Sequence, residues 1–361
     1  MIGRTLGAYF FRRYLVITGQ FFLGVLIIAY IADFTEFTRR AGSLPSYTLG
    51  GGLLISALRL PTIVEGLISF VVLFAAMATL MSLNRKYELV IARSAGVSAW
   101  QFLLPLCLGS FLIGVVMITG FNSLSAWAFS KAEMIETQFR GAPRDSGDDR
   151  LPWLRQRTSE GVTIIGARNS AQRGLLLSDV TFLRIADEGG VRERLDAREA
   201  TLGDREWVLT DVVRTRADGQ RESLATATVA TDLEPAFVAE QFARPESVPL
   251  FQLGGMIDAA RSFGLNANAF ATQYHSLLAL PFQLVAMTLI AATVSMRFAR
   301  LGQSAVMILG GVLAGFLLYV ASVLVKAFGS SGFVPPVMAA WVPVVVAGLF
   351  GVTFLLYKED G

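Results

Sequence analysis

The chain has 361 residues, of which 53% are hydrophobic and 16% are charged, and the charges are unevenly distributed. Residues 1–130 and 273–361 together carry 13 Lys and Arg and 6 Asp and Glu, whereas residues 131–272 carry 18 and 22. A soluble globular protein holds about 25% charged residues throughout, so this distribution excludes that class. The basic excess lies in the apolar part and therefore does not indicate nucleic-acid binding. The composition predicts a polytopic membrane protein with one soluble domain inserted at residues 131–272.

Cysteine and histidine are almost absent, which excludes several kinds of chemistry. Cys107 and His275 are single occurrences, so no disulfide can form within the chain and a zinc site of the usual kind lacks ligands. No HExxH, GxSxG or Walker A sequence is present. We expect no cofactor, no metal and no nucleotide site in this chain.

Six apolar segments are long enough to cross a bilayer, whose core requires about 20 residues per helix. Three precede the polar insert and three follow it. The predicted spans are about Tyr14–Phe34, Leu60–Leu83, Phe102–Trp127, Leu277–Met296, Ala305–Val325 and Val337–Tyr357.

The Lys and Arg residues near these spans predict the orientation, because short cytoplasmic loops are enriched in them. With the N-terminus inside, nine basic residues lie on the inner side and four on the outer side. The inner set is Arg4, Arg12, Arg13, Arg85, Lys86, Arg93, Arg297, Arg300 and Lys358. The outer set is Arg39, Arg40, Arg59 and Lys326. Both termini are therefore predicted to be cytoplasmic, and the inserted domain to lie outside the cytoplasm.

The insert has the pattern of a β domain. Residues 157–168, 175–187, 197–216 and 221–233 mix β-branched or aromatic positions with polar ones at roughly period two. Turn sequences at Asp187–Gly190 and Ala217–Gly219 separate some of these stretches. The pattern predicts a small sandwich or open β-roll. Residues 248–264 then predict a short amphipathic helix that leads back to the membrane.

The segment Asn84–Ser98 lies between the second and third spans, is too polar to cross the membrane and is rich in helix formers. Asn84 is suited to cap the start of a helix and Gly96 to end it. One interpretation is an interfacial anchor whose basic residues contact anionic lipid. The other is a coupling helix that docks on a cytoplasmic motor subunit. Glu88 favours the second interpretation, because lipid headgroups would repel it.

The same segment, NRKYELVIARSAGVS, resembles the cytoplasmic segment of the LptF/LptG (YjgP/YjgQ) permeases of the lipopolysaccharide transporter. The similarity extends to YFFRRYL, FTRRAG, WLRQ, WVLTDV and GFVPP, which fall where the family has comparable features. The order of parts also agrees, and the resemblance covers nearly the whole chain. The C-terminal sequence GFVPPVMAAWVPVVV is more similar to the LptG branch than to LptF.

The resemblance implies a non-catalytic permease subunit in the inner membrane of a Gram-negative bacterium. Its expected fold is six transmembrane helices with an inserted extracytoplasmic β-jellyroll-like domain. Its expected partners are an LptF paralogue, two copies of the ATPase LptB, LptC and through it LptA, lipopolysaccharide and membrane lipids. The coupling helix would cover about residues 84–98, with Glu88 facing the ATPase and Arg85, Tyr87 and Arg93 beside it.

The resemblance also implies residues that meet the substrate, an amphiphile with phosphates on its lipid end. Arg39 and Arg40 match a basic pair that the family places near these phosphates, and arginine binds phosphate in a bidentate way. The alternative is that both residues merely flank the first span. Their position on the outer side, against the positive-inside bias, favours the substrate. Lys131 and Arg140 are further candidates.

Two acidic residues lie within or near apolar runs, where ionisable side chains are usually functional. Asp33 occupies a position where LptG often has a lysine, so a carboxylate there would repel phosphate unless protonated, cation-bridged or paired, for example with Arg39. Glu65 is a candidate for a functional or partner-pairing role. Two other classes stay open: a membrane-embedded protease or lipid hydrolase with Asp33 and Glu65 as an acid pair, and a permease of another ATP-driven envelope system.

Overall fold

The computed structural model describes residues 4–42, 48–140, 154–158, 161–171, 175–185, 190–203, 206–231, 245–262, 266–295 and 305–359. These form two compact units. The first is helical and contains residues up to Glu136, Glu246–Gly254 and the chain from Asn268 onward. The second contains Thr137–Pro245 and Gly255–Ala267. The features predicted at Trp153, Asp187, Arg297 and Arg300 lie outside the described residues.

Nine α-helices are present in the described part of the chain. They are α1 (Arg4–Ala41), α2 (Leu49–Arg85), α3 (Glu88–Ser94), α4 (Ala99–Val116), α5 (Asn122–Arg140), α6 (Leu250–Ser262), α7 (Asn268–Ser295), α8 (Ala305–Ser331) and α9 (Pro336–Glu359). One π-helical turn, Met117–Phe121, joins α4 to α5. Six helices are long and apolar enough to cross a membrane, namely α1, α2, the continuous α4–α5 helix, α7, α8 and α9. The prediction of six spans is confirmed, and except at Met296 the predicted ranges lie within these helices.

Helix α7 lies at the centre of the helical unit and is the most buried of the six. It packs closely on two other helices at glycines. A Cβ atom on Gly114 of α4 would lie 2.5 Å from the Cα atom of Pro281, and one on Gly351 of α9 would lie 2.8 Å from the Cβ atom of Leu289. Small residues allow such close approach between helices in membranes, where van der Waals packing drives association.

A buried hydrogen-bond network joins three helices in this core. The hydroxyl groups of Tyr14 on α1 and Ser110 on α4 are 2.7 Å apart. Ser110 is in turn 2.5 Å from the hydroxyl of Thr288 on α7. All three residues are fully buried. Because an unpaired polar group in this environment costs free energy, the network fixes the three helices in one arrangement.

Helices α1 and α8 differ from α7 because few of their described apolar residues are buried. In a chain that crosses a bilayer, exposed apolar residues meet lipid or another membrane subunit. The large exposed side chains of α1 are Tyr9, Leu15, Val16, Phe21, Leu23, Ile27, Ile28 and Ile31. Those of α8 are Leu309, Leu313, Phe316, Leu317, Val323, Leu324 and Phe328.

The inserted unit contains a six-stranded antiparallel sheet whose strands follow one another in chain order. They are β1 (Leu154–Thr158), β2 (Gly161–Ala171), β3 (Leu176–Ile185), β4 (Val191–Leu202), β5 (Glu206–Arg216) and β6 (Arg221–Ala230). The predicted β content is confirmed, but two of the predicted stretches each hold parts of two strands. Thr158 pairs directly with Gly161, and Leu202 with Trp207, so tight hairpins divide these stretches.

One face of the sheet is apolar and the other is charged. Phe182 and Trp207 pack edge to face at the centre of the apolar face, with ring centroids 6.1 Å apart. On the charged face Asp196 accepts hydrogen bonds from Arg194 and Thr181. Partial burial raises the pKa of the Asp196 carboxyl, but these hydrogen bonds outweigh it and hold the pKa below its ordinary value.

A line of kinks crosses the sheet from β2 to β5. Asp179 and Asp211 have positive φ angles of 50° and 52°, which turn the strands locally. Each lies beside an arginine of a neighbouring strand: Arg168 is 3.8 Å from Asp179, and Arg198 is 3.7 Å from Asp211. The buried positions of β3, β4 and β5 therefore change parity across the line, as in Leu177 and Val180 of β3.

Substitution of Gly114 tests the close contact between α4 and α7. Gly114→Ala should lower the free energy of unfolding by about 1–3 kcal/mol, because the new methyl group overlaps the backbone of Pro281. Thermal unfolding of the purified full chain in detergent measures this. Gly66→Ala is the control, since a Cβ atom there meets nothing within 4 Å. Equal unfolding temperatures for both variants would contradict the packing.

Candidate functional site

The segment between α2 and α4 folds as a short helix, α3, but it starts later than predicted. Asn84 does not cap it: Asn84 is buried in the last turn of α2, which continues to Arg85. The chain reverses at Lys86 and Tyr87, and Tyr87, with φ of 60°, precedes the first residue of α3. The prediction for Asn84 is wrong because α2 continues to Arg85 and buries the Asn84 side chain.

Gly96 lies just after the C-terminal end of α3 and terminates this helix, as predicted. Its φ angle of +82° is readily adopted only by glycine. The amide of Gly96 donates to the carbonyl of Arg93, and the amide of Val97 donates to that of Ala92. This pair of bonds is a Schellman motif, which satisfies carbonyl groups at the end of α3.

One side of α3 packs on its own chain and the other is exposed. Leu89 and Ala92 are buried, whereas Tyr87, Val90 and Ile91 are 60%, 42% and 64% exposed. We call Tyr87, Val90 and Ile91 the exposed face of α3. It is an apolar surface on a helix that lies between two candidate spans.

Of the other predicted coupling residues, Arg85 is exposed to solvent, whereas Arg93 and Glu88 contact other residues of the chain. Arg85 is exposed at the end of α2. Arg93 is also exposed, and its guanidinium lies over the ring of Phe102 on α4, 5.9 Å from the centroid. Glu88 accepts hydrogen bonds from Arg13 of α1.

Arg13 of α1 holds Glu88 at the start of α3. Its Nη1 atom donates to both carboxylate oxygens of Glu88, at 3.0 Å and 3.3 Å. Its Nη2 atom donates to the hydroxyl of Ser82 on α2 at 2.7 Å. The hydroxyl of Tyr9 lies 2.6 Å from Nη1 and 3.4 Å from Glu88. We call Tyr9, Arg13, Ser82 and Glu88 the Arg13 cluster.

Sequence reasoning assigned Glu88 but missed the rest of the Arg13 cluster. The arginine and the carboxylate are 75 residues apart in sequence, so no helical spacing relates them. Arg12 and Arg13 also look alike in the sequence, and only the position on α1 shows which of them faces α3. The two side chains of the ion pair are 16% and 27% exposed.

At the other end of α1 the predicted phosphate-binding pair is bound to a carboxylate that the sequence reasoning missed. Glu36 accepts hydrogen bonds from Arg39 at 2.6 Å and 3.0 Å and from Arg40 at 2.5 Å. Both arginine side chains remain 75% exposed. The spacings of three and four residues on a helix could have indicated these pairs. The group keeps one net positive charge.

Asp33 lies one turn before this group, and its Oδ2 atom is buried without a hydrogen-bond partner among the described residues. A pairing of Asp33 with Arg39 was one of the possibilities raised by the sequence. In the structure Arg39 pairs with Glu36 instead. Of the other two predicted substrate residues, Lys131 is exposed on α5, and Arg140 is the last residue of that helix. No described contact joins Lys131 to Arg39 or Arg40.

A second ion pair missed from the sequence joins α2 to α5. Arg59 lies 2.9 Å from Glu136, and both side chains are largely buried. The guanidinium of Arg59 also lies over the ring of Phe37 on α1, 5.7 Å from the centroid. Phe37 follows Glu36, so this contact helps to fix the end of α1 that carries the arginine pair.

Glu65 on α2 is part of a polar cluster inside the helical unit. Its Oε1 atom accepts a hydrogen bond from the amide of Asn122 at 3.0 Å, and Lys326 of α8 interacts with the carboxylate electrostatically. The Asn122 side-chain oxygen accepts from the backbone amide of Leu250 at 2.9 Å. Asn122 directly follows the π-helical turn, which changes the direction of the residues after it. The cluster gives Glu65 a structural role within the chain.

The described residues contain no group of three or more His, Cys, Asp and Glu side chains that could hold a metal ion. The six candidate spans and the inserted antiparallel sheet define a polytopic membrane protein with one inserted β domain.

The sequence matches the family described as lipopolysaccharide export system permease LptF/LptG over residues 8–358. The chain therefore belongs to that family, which confirms the resemblance at the level of the family. A search among curated proteins returned no match. The family consists of permease subunits of the lipopolysaccharide export system and not of enzymes, and with its spans it makes this chain an inner-membrane protein.

Substitution of Asn122 tests the polar cluster around Glu65. Asn122→Ala should destabilise the chain by roughly 2–3 kcal/mol, because it leaves a partly buried carboxylate and a buried backbone amide without their partner. Thermal unfolding in detergent measures the change. Leu124→Ala, at an exposed position of the same helix, is the control. If both variants unfold at the temperature of the unchanged chain, Asn122 does not hold the cluster together.

Proposed function

We propose that this chain is the LptG-type subunit of the ABC transporter that extracts lipopolysaccharide from the inner membrane. It pairs with an LptF-type subunit and passes the lipid to a periplasmic bridge formed by LptC and LptA. Two LptB subunits hydrolyse ATP on the cytoplasmic side. The observation that carries the proposal is the family match over residues 8–358. The similarity of the last helix and the loop before it to LptG supports the choice of subunit.

The exposed face of α3 supports its role as the coupling helix. A short helix that leaves Tyr87, Val90 and Ile91 exposed gains free energy when these side chains are buried in a groove of a partner. Arg85 at the end of α2 and Arg93 in the last turn of α3 can contact acidic residues at the rim of such a groove. A lipid anchor would also bury the apolar face, but it would bring Glu88 towards anionic headgroups.

Truncation of the exposed face tests this docking. Ile91→Ala should reduce the amount of ATPase that co-purifies with the permease by roughly tenfold, because a buried anchor residue at an interface contributes 1 kcal/mol or more. Quantitative analysis of the purified complex measures the ratio of subunits. Ser94→Ala, an exposed polar position on α3, is the control and should keep the full ratio.

Two results would contradict the coupling role. One is full ATPase association in Ile91→Ala and also in Ile91→Asp. The other is a loss of association only in vesicles that lack anionic lipid, because that dependence is expected of a lipid anchor.

The arginine pair on α1 supports a contact with the phosphates of the substrate. Glu36 neutralises one of the two charges, and ion pairs between exposed residues on one helix are worth at most about 1 kcal/mol. A phosphate group carries more charge than a carboxylate and accepts bidentate hydrogen bonds from arginine. It can therefore displace Glu36 from Arg39 and Arg40. In the predicted orientation this group lies at the outer end of α1.

Photo-crosslinking tests this contact in the whole transporter. A crosslinker at position 39 or 40 should capture lipopolysaccharide, and enzymatic removal of the lipid phosphates should reduce the capture by about tenfold, because charge-assisted hydrogen bonds are lost. Glu36→Gln should increase the capture. If neither position captures the lipid, or the phosphates make no difference, the two arginines only flank the helix.

The mainly exposed helices α1 and α8 support the heterodimer, because each offers a long apolar surface to another membrane subunit. In the sheet, β1 and β6 are the edge strands. An edge strand has unpaired backbone groups that accept a further strand, which supports a sheet-to-sheet contact with LptC.

A further inference from the structure

We propose that Arg13 is a positioning residue that fastens α3 to α1, so that a displacement of α3 by the ATPase is transmitted into the helical core. The proposal rests on the proposed function, because it requires an ATPase that acts on α3. It concerns a residue outside α3, and its role is to connect helices rather than to contact the ATPase.

The first support is the number of elements that Arg13 joins. Its two terminal nitrogens bind Glu88 at the start of α3 and Ser82 near the end of α2. The ring of Tyr9, one turn earlier on α1, lies 5.8 Å from the guanidinium. A planar guanidinium with several donors can hold such a three-way contact, whereas an ammonium has a different geometry. Arg13 is therefore a junction of α1, α2 and α3.

The second support is the small size of α3. A helix of seven residues has little stability alone, so its position depends on contacts with neighbouring elements. Leu89 and Ala92 supply the buried apolar contacts. The hydrogen bonds that join α3 to α1 run from Arg13 and Tyr9 to Glu88. Without Arg13 the start of α3 can move while α1 stays in place.

The third support is the neighbour of Arg13 in sequence. Tyr14 belongs to the fully buried network with Ser110 of α4 and Thr288 of α7. A force on Arg13 therefore acts on a part of α1 that is hydrogen-bonded to the central helix. Polar contacts join Glu88 to Arg13, the backbone joins Arg13 to Tyr14, and hydrogen bonds join Tyr14 through Ser110 to α7. Such a physically connected set of residues is what energetic coupling needs.

The test uses the complete transporter in lipid vesicles, with its ATPase and lipopolysaccharide. Arg13→Gln should keep the ATPase bound and hydrolysing ATP, while the lipopolysaccharide extracted per ATP falls roughly tenfold, because a partly buried charged hydrogen-bond partner is lost. Arg13→Lys should have a smaller effect, since it keeps the charge but not the fork. Arg12→Gln, at the exposed neighbouring position, should leave extraction per ATP unchanged.

A distance measurement separates transmission from simple stabilisation. Spin labels at Val16 on α1 and Ser94 on α3, both exposed, report the distance between the two helices in a Cys107→Ser background. In the otherwise unchanged chain the two labels should move together, so ATP should not change their distance. In Arg13→Gln, or in Arg13→Lys if the first variant does not fold, ATP should change the distance.

Three results would overturn the proposal: unchanged extraction per ATP in Arg13→Gln, a distance that stays as constant as in the unchanged chain, or loss of the ATPase from Arg13→Gln. The last result would place Arg13 in docking instead. A different result would contradict the proposed function: the unchanged chain, with Arg13 in place, does not bind the ATPase. The role of Arg13 is judged only by the three results above.

Discussion

The helical unit depends on one constraint: a polar group inside an apolar layer must find its partner within the protein. Some buried polar side chains of this unit, such as Thr79 and Thr293, bond to carbonyls of their own helix, and others meet the constraint through contacts between helices. Tyr14, Ser110 and Thr288 join α1, α4 and α7, and Asn122 joins Glu65 to the backbone of α6. Because apolar surfaces alone allow helices to slide in lipid, these directional contacts define which helix arrangement is stable.

Apolar runs that cross the membrane can be predicted from the sequence, whereas polar contacts between residues far apart in the chain are shown only by the structure. Hydropathy identifies all six spans, because each requires a long apolar run, and the positive φ of Gly96 follows from its residue type. The partner of Glu88 could not be predicted, since Arg13 is 75 residues away. The pairing of Glu36 with the two arginines was open to prediction from helical spacing but was missed. Asn84 shows the opposite error, because a good capping residue lies buried inside α2.

In the inserted sheet the limit of prediction has a different cause. Alternation of apolar and polar residues identifies strands, but it assumes a constant period of two. Asp179 and Asp211 break that period with positive φ angles, and an arginine on a neighbouring strand lies near each of them. The parity of the buried residues changes across this line, so no single alternating pattern describes these strands. Two predicted stretches did not match the strands because tight hairpins lie within them, between Thr158 and Gly161 and between Leu202 and Trp207.

The chain is a permease subunit of the LptF/LptG family. In the proposed account its α3 helix, connected through the Arg13 cluster to the core, receives the motion of an ATPase, and the arginine pair on α1 meets phosphate. The most direct test of this account is the location of newly made lipopolysaccharide after the chain is depleted from cells that contain it. The account predicts that pulse-labelled lipopolysaccharide accumulates in the inner membrane while its synthesis continues. Normal arrival of the label at the outer membrane would contradict the account.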